Sequence, residues 1–343
     1  MSDINKLVRE NVRALIPYSC ARDEFQGKEG IFLDANENPY GTLNRYPDPY
    51  QRELKSSISR IKGVPEEYIF LGNGSDEIID LCFRIFCNPG VDKALTFTPT
   101  YGMYEVSAAI NDVKLIKIPL SEDFQIEFKS VLPTLKDPTL KLVFICSPNN
   151  PTGNSMMGSE IESIISGFEG IVVIDEAYID FSEQRSFKTM INRYNNLIVM
   201  QTFSKAMGLA AARVGIAFMD PSNIKYFNKM KPPYNISALN QKAASRCLKH
   251  IDMLKTRVKR IKTERERLAV NLKKISIIEK VFPSDSNFLL VKTVNADLIY
   301  STLIDNNIIV RNRNKIVPGC IRITVGTVND NNKLIRALRK IKI

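Results

Sequence analysis

Between residues 69 and 219 the chain repeats one unit: a short apolar run, a loop rich in Gly, Pro, Asn, Ser or Thr, and in several repeats a stretch with helical spacing. The apolar runs fall at residues 69–71, 93–97, 113–118, 142–146, 171–175, 197–200 and 215–219. Several are apolar throughout, as in Ile171-Val172-Val173-Ile174, which is how strands buried on both faces read. Helices fit at residues 77–86, 101–110 and 159–168. This alternation predicts an α/β fold with a mostly parallel sheet flanked by helices.

The double proline Pro232-Pro233 ends that pattern. Residues 237–274 read as a long charged helix with a bend. Short strands at 288–291, 308–311 and 320–325 then mix with helices at 296–305 and 330–340, which predicts a smaller α+β domain. The expected division is an N-terminal arm, 1–44, packing with the small domain, a large domain, 45–232, and the long helix with the small domain, 233–343. Within the first two, a helix at 4–15, a strand at 31–34 and a helix at 51–61 are expected. A chain of 343 residues has room for such a two-domain core.

Charge and composition narrow the chemistry. The net charge of +11 calls for an anionic partner. Much of the positive charge lies in residues 249–274 and 333–342 at helical spacing, which reads as solvated helix faces, and no nucleic-acid-binding signature accompanies it. A phosphorylated metabolite answers the same charge. The single histidine, His250, nearly excludes a Ser-His-Asp triad or a multi-histidine zinc site, and no metal is expected. The six cysteines form no CxxC pair and read as free thiols of a cytoplasmic protein. No apolar run reaches the roughly 18 residues of a membrane span, and the N-terminus lacks the apolar stretch of a secretory signal.

Five loops that follow apolar runs carry the residues that can do chemistry. Gly72-Asn73-Gly74-Ser75-Asp76 opens a helix, so the Ser75 and Asp76 amides can cradle a phosphate, or one of the two side chains simply caps the helix. Tyr101 can lie against a planar ring or be an ordinary core tyrosine. Ser147-Pro148-Asn149-Asn150-Pro151-Thr152-Gly153 is a constrained loop in which Asn150 can donate to a phenolate oxygen. Asp175 ends a wholly apolar strand, where it can pair with a protonated ring nitrogen, bind a metal or cap a helix, and Tyr178 follows it. Thr202, Ser204, Lys205 and Arg213 join two hydroxyls, an amine and a guanidinium, a set that can hold a phosphate and leave Lys205 to form a Schiff base with an aldehyde cofactor. Alone, Lys205 reads as a loop lysine. Together, the five loops gather on one edge of a parallel sheet, where ligands of open α/β sheets bind.

With these residues in view, the chain resembles the fold-type I pyridoxal-phosphate-dependent aminotransferases, class II subgroup, and among them the histidinol-phosphate aminotransferases. The resemblance covers most of the sequence. It rests on Pro17-Tyr18, Asn36-Glu37-Asn38-Pro39-Tyr40-Gly41, Arg45-Tyr46-Pro47-Asp48-Pro49, residues 72–77, 99–104, 147–153, 175–178 and 202–205, Arg213, and Arg322-Ile323-Thr324-Val325-Gly326-Thr327.

It implies the fold-type I architecture, pyridoxal 5'-phosphate as cofactor, and exchange of an amino group between L-histidinol phosphate and 2-oxoglutarate, giving imidazole-acetol phosphate and L-glutamate. By the same resemblance Lys205, Asp175 and Tyr178 are catalytic. Ser75, Asp76, Tyr101, Asn150, Thr202, Ser204 and Arg213 bind the cofactor, and Tyr46 reaches it across a homodimer interface. Tyr18, Asn36, Asn149, Arg311 and Arg322 are the substrate-binding set. The segment from Arg311 to Arg322 is shorter than the family pattern, and Arg313 lies inside it. An aromatic amino-acid aminotransferase or a phospho-amino-acid decarboxylase of the same fold shares the cofactor residues. A basic nucleic-acid-binding protein is the non-enzymatic alternative.

Overall fold

The structure, a computed structural model, describes residues 3–18 and 30–341. Its centre is a seven-stranded sheet of β1 (Ile69–Asn73), β2 (Lys93–Thr98), β3 (Lys114–Pro119), β4 (Leu140–Cys146), β5 (Ile171–Asp175), β6 (Leu197–Thr202) and β7 (Val214–Met219), in the spatial order β1-β7-β6-β5-β4-β2-β3. The apolar runs behave as strands covered on both faces. Val172 and Ile174 belong to one hydrophobic cluster, whereas Ile171 and Val173 belong to the other. Successive side chains of a strand point to opposite faces, so a run with no polar residue needs a core on each side.

All neighbouring pairs from β3 through β6 are parallel, and β7 runs antiparallel to both β6 and β1. The reversal follows from the connection. Only residues 203–213 separate β6 from β7, too few for a crossover helix, and they hold just a 3-10 turn at Ala210–Ala212. As a result Thr202 pairs with Gly215, and Arg213 enters the sheet beside the ends of β1 and β6. The carboxyl ends of β1, β2, β4, β5 and β6 and the amino end of β7 therefore share one edge.

The second sheet has four antiparallel strands in the order β10-β11-β9-β8: β8 (Ile278–Val281), β9 (Phe288–Thr293), β10 (Arg311–Asn312) and β11 (Cys320–Thr324). One face carries Leu289, Val291, Ile321 and Ile323 against the helices Ala296–Asp305 and Val328–Lys340. The link between the two sheets is helical, Ala238–Leu248 followed by Ile251–Leu272, with the bend at Lys249-His250. No helix among the described residues is long and apolar enough to cross a membrane.

Three local expectations are corrected. Residues 31–34 form no strand: Ile31 and Leu33 lie outside both sheets and are 91% and 88% exposed. The helix at 4–15 is two short ones, Ile4–Leu7 and Glu10–Ala14. This part of the arm packs on the large domain rather than the small one, with Ile4, Val8 and Val12 buried in the cluster of Phe83, Phe86 and Phe227. The Arg9 amide donates to the Ile85 carbonyl at 3.0 Å, and the Tyr226 hydroxyl to Asn5 Oδ1 at 2.7 Å.

The turn after β1 lies against the start of β7 at backbone distance. A Cβ on Gly215 would stand 2.5 Å from the Gly74 carbonyl carbon and 2.6 Å from the Ser75 nitrogen. Neither atom can move without displacing the helix Ser75–Phe86. Gly215→Ala is expected to cost about 1–3 kcal/mol, the usual range for overpacking. Denaturant unfolding measures it, and an unchanged midpoint would contradict this close approach.

Candidate active site

At the shared strand edge lies a cavity of about 410 Å³. Ser75, Asp76, Tyr101, Asn150, Asp175, Tyr178, Thr202, Ser204, Lys205, Arg213, Arg311 and Arg322 all line it. Four other expected residues do not. Tyr18 is 74% exposed, Asn36 is exposed, and Tyr46 stacks on Tyr234 with ring centroids 4.4 Å apart. Asn149 is buried and spent on tying its own loop to the one after β2: its amide donates to the Pro99 carbonyl and to Thr152 Oγ1, both at 2.8 Å, and its oxygen accepts from the Thr100 hydroxyl.

One end of the cavity is built for an anion. The helix Ser75–Phe86 begins after Gly74, whose φ of 76° suits glycine, and no side chain caps it, so neither Ser75 nor Asp76 acts as the cap. Its first amides are thus left for a ligand. Arg213 sits at φ 49° with Nη2 3.2 Å from Asp76 Oδ2. A Cβ on Gly74 would meet that Nη2 at 2.4 Å, so the guanidinium closes over the turn only because residue 74 has no side chain. Thr202 Oγ1 accepts the Ser204 amide at 3.1 Å and folds that loop toward the same end.

In the middle lies Asp175, 3% exposed. Its Oδ2 accepts the Tyr104 hydroxyl at 2.8 Å and its Oδ1 the Ala177 amide at 3.0 Å. Burial raises the carboxyl above its ordinary range, while these two hydrogen bonds favour the charged form. Tyr104, within the motif 99–104, has no role of its own in the sequence pattern. It is fully buried, stacks on Phe144 at 5.0 Å and meets Tyr101 edge-on at 5.6 Å. Its one sequence signal is the helical spacing Tyr101-x-x-Tyr104. Cys146, at the end of β4, is a second lining residue with no signal of its own.

Lys205 opens into the cavity with Nζ 5.7 Å from the centre of the Tyr178 ring. Its residue surface is exposed to that space, yet the walls around the amine strip enough water to lower its pKa, and Arg322 lowers it further. Asp175 and Asp76 pull the other way.

Facing the amine is a wall of arginines. β10 pairs with β11 so that Arg311 lies opposite Arg322, and Arg313 shares the Arg311 face two residues on. Arg322 donates to Asn150 Oδ1 and lies over Phe288 at 5.1 Å. Burial lowers Arg313 to about 10, and Arg322 and Arg311 add to the effect. The Nε atoms of Arg313 and Arg322 are buried without hydrogen-bond partners. Orphaned donors of this kind suit an anionic ligand. Arg313, only a neighbour in the sequence reading, is thus part of the wall.

The donor set fits a planar cofactor that carries a phosphate, a ring nitrogen and an aldehyde. The helix terminus with Arg213, Thr202 and Ser204 could hold the phosphate, Asp175 could accept from the nitrogen, and Lys205 offers an amine to the aldehyde.

Comparison with known proteins gives a consistent picture. The family model "Aminotransferase class I and II" matches residues 28–338. The chain is 47% identical to the histidinol-phosphate aminotransferase of Cytophaga hutchinsonii over 98% of each chain. Among solved structures, it resembles the histidinol-phosphate aminotransferase of Clostridium acetobutylicum with a TM-score of 0.79 and 26% identity, covering 87% of this chain and 90% of that one. The fold is shared with the histidinol-phosphate aminotransferase of Sinorhizobium meliloti, solved in complex with pyridoxal-5'-phosphate, with a TM-score of 0.80 and 23% identity over 89% of each chain.

The opposed charges around Lys205 make a signed prediction. Arg322→Gln removes a neighbour that lowers its pKa, so the amine should titrate at higher pH; Asp175→Asn removes a neighbour that raises it, so the amine should titrate lower. The pH dependence of Lys205 acylation in cofactor-free protein reads both, and shifts of the same sign in the two variants would contradict this arrangement.

Proposed function

This chain belongs to the class I and II aminotransferases and, within them, to the histidinol-phosphate aminotransferases, and on that footing we propose how its residues carry amino-group exchange between L-histidinol phosphate and 2-oxoglutarate. What carries the reading is the meeting of Lys205, Asp175 and Arg213 with an uncapped helix N-terminus around one cavity.

Pyridoxal 5'-phosphate, when bound, supplies an aldehyde that condenses with amines and a ring that takes up the charge of a deprotonated carbon. The Ser75 and Asp76 amides, Thr202, Ser204 and Arg213 hold its phosphate. Tyr101 would cover one face of the ring, and Asn150 and Tyr178 would serve its phenolic oxygen. Asp175 keeps a proton on the ring nitrogen. Low water access and the two hydrogen bonds from Tyr104 and Ala177 hold that carboxylate in place.

Lys205 has two duties. With the cofactor bound, its amine would anchor the aldehyde and, when free, would take and return the proton at the substrate carbon. A depressed pKa suits both, since the neutral amine is the nucleophile and the base. The keto acid runs the same transfers in reverse.

Arg322 and Arg311 receive the acidic end of each substrate, the phosphate of histidinol phosphate or a carboxylate of 2-oxoglutarate. Tyr18 and Asn36, which do not line the cavity, are assigned to the substrate site by the family resemblance alone, and Asn149 supports it by fixing the loop of Asn150. Tyr46 serves the cofactor phosphate of a second copy in a homodimer. Ile16, Ile31, Leu33, Tyr40 and Leu43 are each exposed within one stretch of sequence, which supports a partner there.

The arginine wall favours a phosphorylated amine over an aromatic amino acid. An absorption titration tests the proposal: the cofactor-loaded protein should lose its visible band on addition of histidinol phosphate and regain it with 2-oxoglutarate. Faster turnover of phenylalanine, or carbon dioxide release from threonine phosphate, would instead favour an aromatic aminotransferase or a phospho-amino-acid decarboxylase. Lys205→Ala should lower kcat by at least about 10²–10⁴, the range for a general base; near-normal turnover would remove its role. Asp175→Asn should slow the proton transfer strongly while leaving most of the cofactor affinity, read by single-turnover kinetics and cofactor titration.

A further inference from the structure

Glu77 belongs to the motif after β1, yet it does not line the cavity. As the third residue of the helix Ser75–Phe86, its carboxylate would ordinarily reach back to the amide of the capping residue, Gly74. It does not. The Gly74 amide donates instead to the Arg213 carbonyl at 2.9 Å, and Glu77 Oε2 accepts the amide of the preceding residue, Asn73, at 2.5 Å. The cap is shifted one residue outward. Both amides before the helix are thereby satisfied by protein, and those of Ser75 and Asp76 remain for the ligand.

The same Oε2 accepts the side-chain amide of Asn235 at 2.8 Å, a contact that spans 158 residues. Asn235 is buried, and its amide also donates to the Leu71 carbonyl at 3.0 Å, so it grips the end of β1 and the first helical turn together. Its remaining oxygen accepts from Gln51 Nε2 at 3.2 Å, and Gln51, 1% exposed, donates in turn to the Pro49 carbonyl at 2.8 Å. Lys231 Nζ reaches that same carbonyl at 2.8 Å. Residues 231–235 therefore clamp the segment that carries Tyr46 and index the turn 72–75 against it.

We propose that Glu77 and Asn235 are positioning residues for the cofactor phosphate: they hold the turn after β1 so that the Ser75 and Asp76 amides and the Arg213 guanidinium converge on one anion. The proposal rests on the pyridoxal-phosphate reading and concerns how tightly that phosphate is held. Acceptor geometry at position 77 carries the effect, not its negative charge, because an amide oxygen can take the same two donors.

The test is titration of the cofactor-free full chain with pyridoxal 5'-phosphate, together with hydrogen exchange of peptides covering residues 71–75. Glu77→Leu should raise the Kd at least tenfold and speed exchange in the turn, with the KM for 2-oxoglutarate at saturating cofactor changed less than twofold. Glu77→Gln should bind within about twofold of the parent. A parent-like Kd for Glu77→Leu overturns the proposal, and so does an equal loss in both variants. If Glu77→Leu does not fold, Asn235→Ser, which withdraws the amide without adding bulk, should raise the Kd severalfold, and a parent-like Kd there overturns the proposal as well. Failure of the parent chain itself to bind the cofactor would strike the functional reading instead.

Discussion

A carboxylate inside a sheet of apolar strands is the constraint on which the rest of the structure turns. Asp175 ends a strand with every residue buried, where an unpaired charge would be costly. It is tolerated because each oxygen has a donor and because the sheet edge opens there into the cavity. Tyr104 supplies one of those donors from a helix whose own position depends on packing against Phe144. The core of the large domain and its chemistry are therefore one piece: the aromatic stack that fills the sheet face also orients the acid.

Charge is laid out along the cavity in a sequence that suits a ligand anionic at both ends. Arg213 and an uncapped helix terminus occupy one end, Arg311, Arg313 and Arg322 the other, with Asp175 and Lys205 between them. The two acids in the cavity, Asp76 and Asp175, are hydrogen-bonded to neighbours on the large domain. Among the described residues none forms an ion pair with the arginines of the small sheet. Much of the +11 charge sits on helix faces, but the part that lines the cavity is this small group.

The strands of the large sheet were legible because they are apolar throughout, a pattern that survives any detail of register. Their loops were legible because Gly, Pro, Asn and hydroxyl residues in those arrangements have few other uses. Three things were not. The reversal of β7 depends on the length of the connection 203–213 rather than on its composition. Residues 31–34 carry a strand-like pattern, but a strand exists only where a neighbouring strand pairs with it, and among the described residues these lie outside both sheets. Tyr104 and Arg313 act through position in space: one is a core tyrosine until Asp175 is seen beneath it, and the other is one more arginine until β10 turns its side with Arg311 and Arg322. Tyr46, singled out by its motif, lies away from the cavity of its own chain and stacks on Tyr234.

Arg322 grows from the small sheet and Asn150 from the large, and the two are hydrogen-bonded to each other. That bond is a latch as well as a contact. Any anion that draws the guanidinium toward itself loosens the grip of one domain on the other at that point, and any drift of the domains changes how much of the guanidinium is free to greet an anion. Recognition of an anion and the contact between the two sheets thus draw on the same side chain.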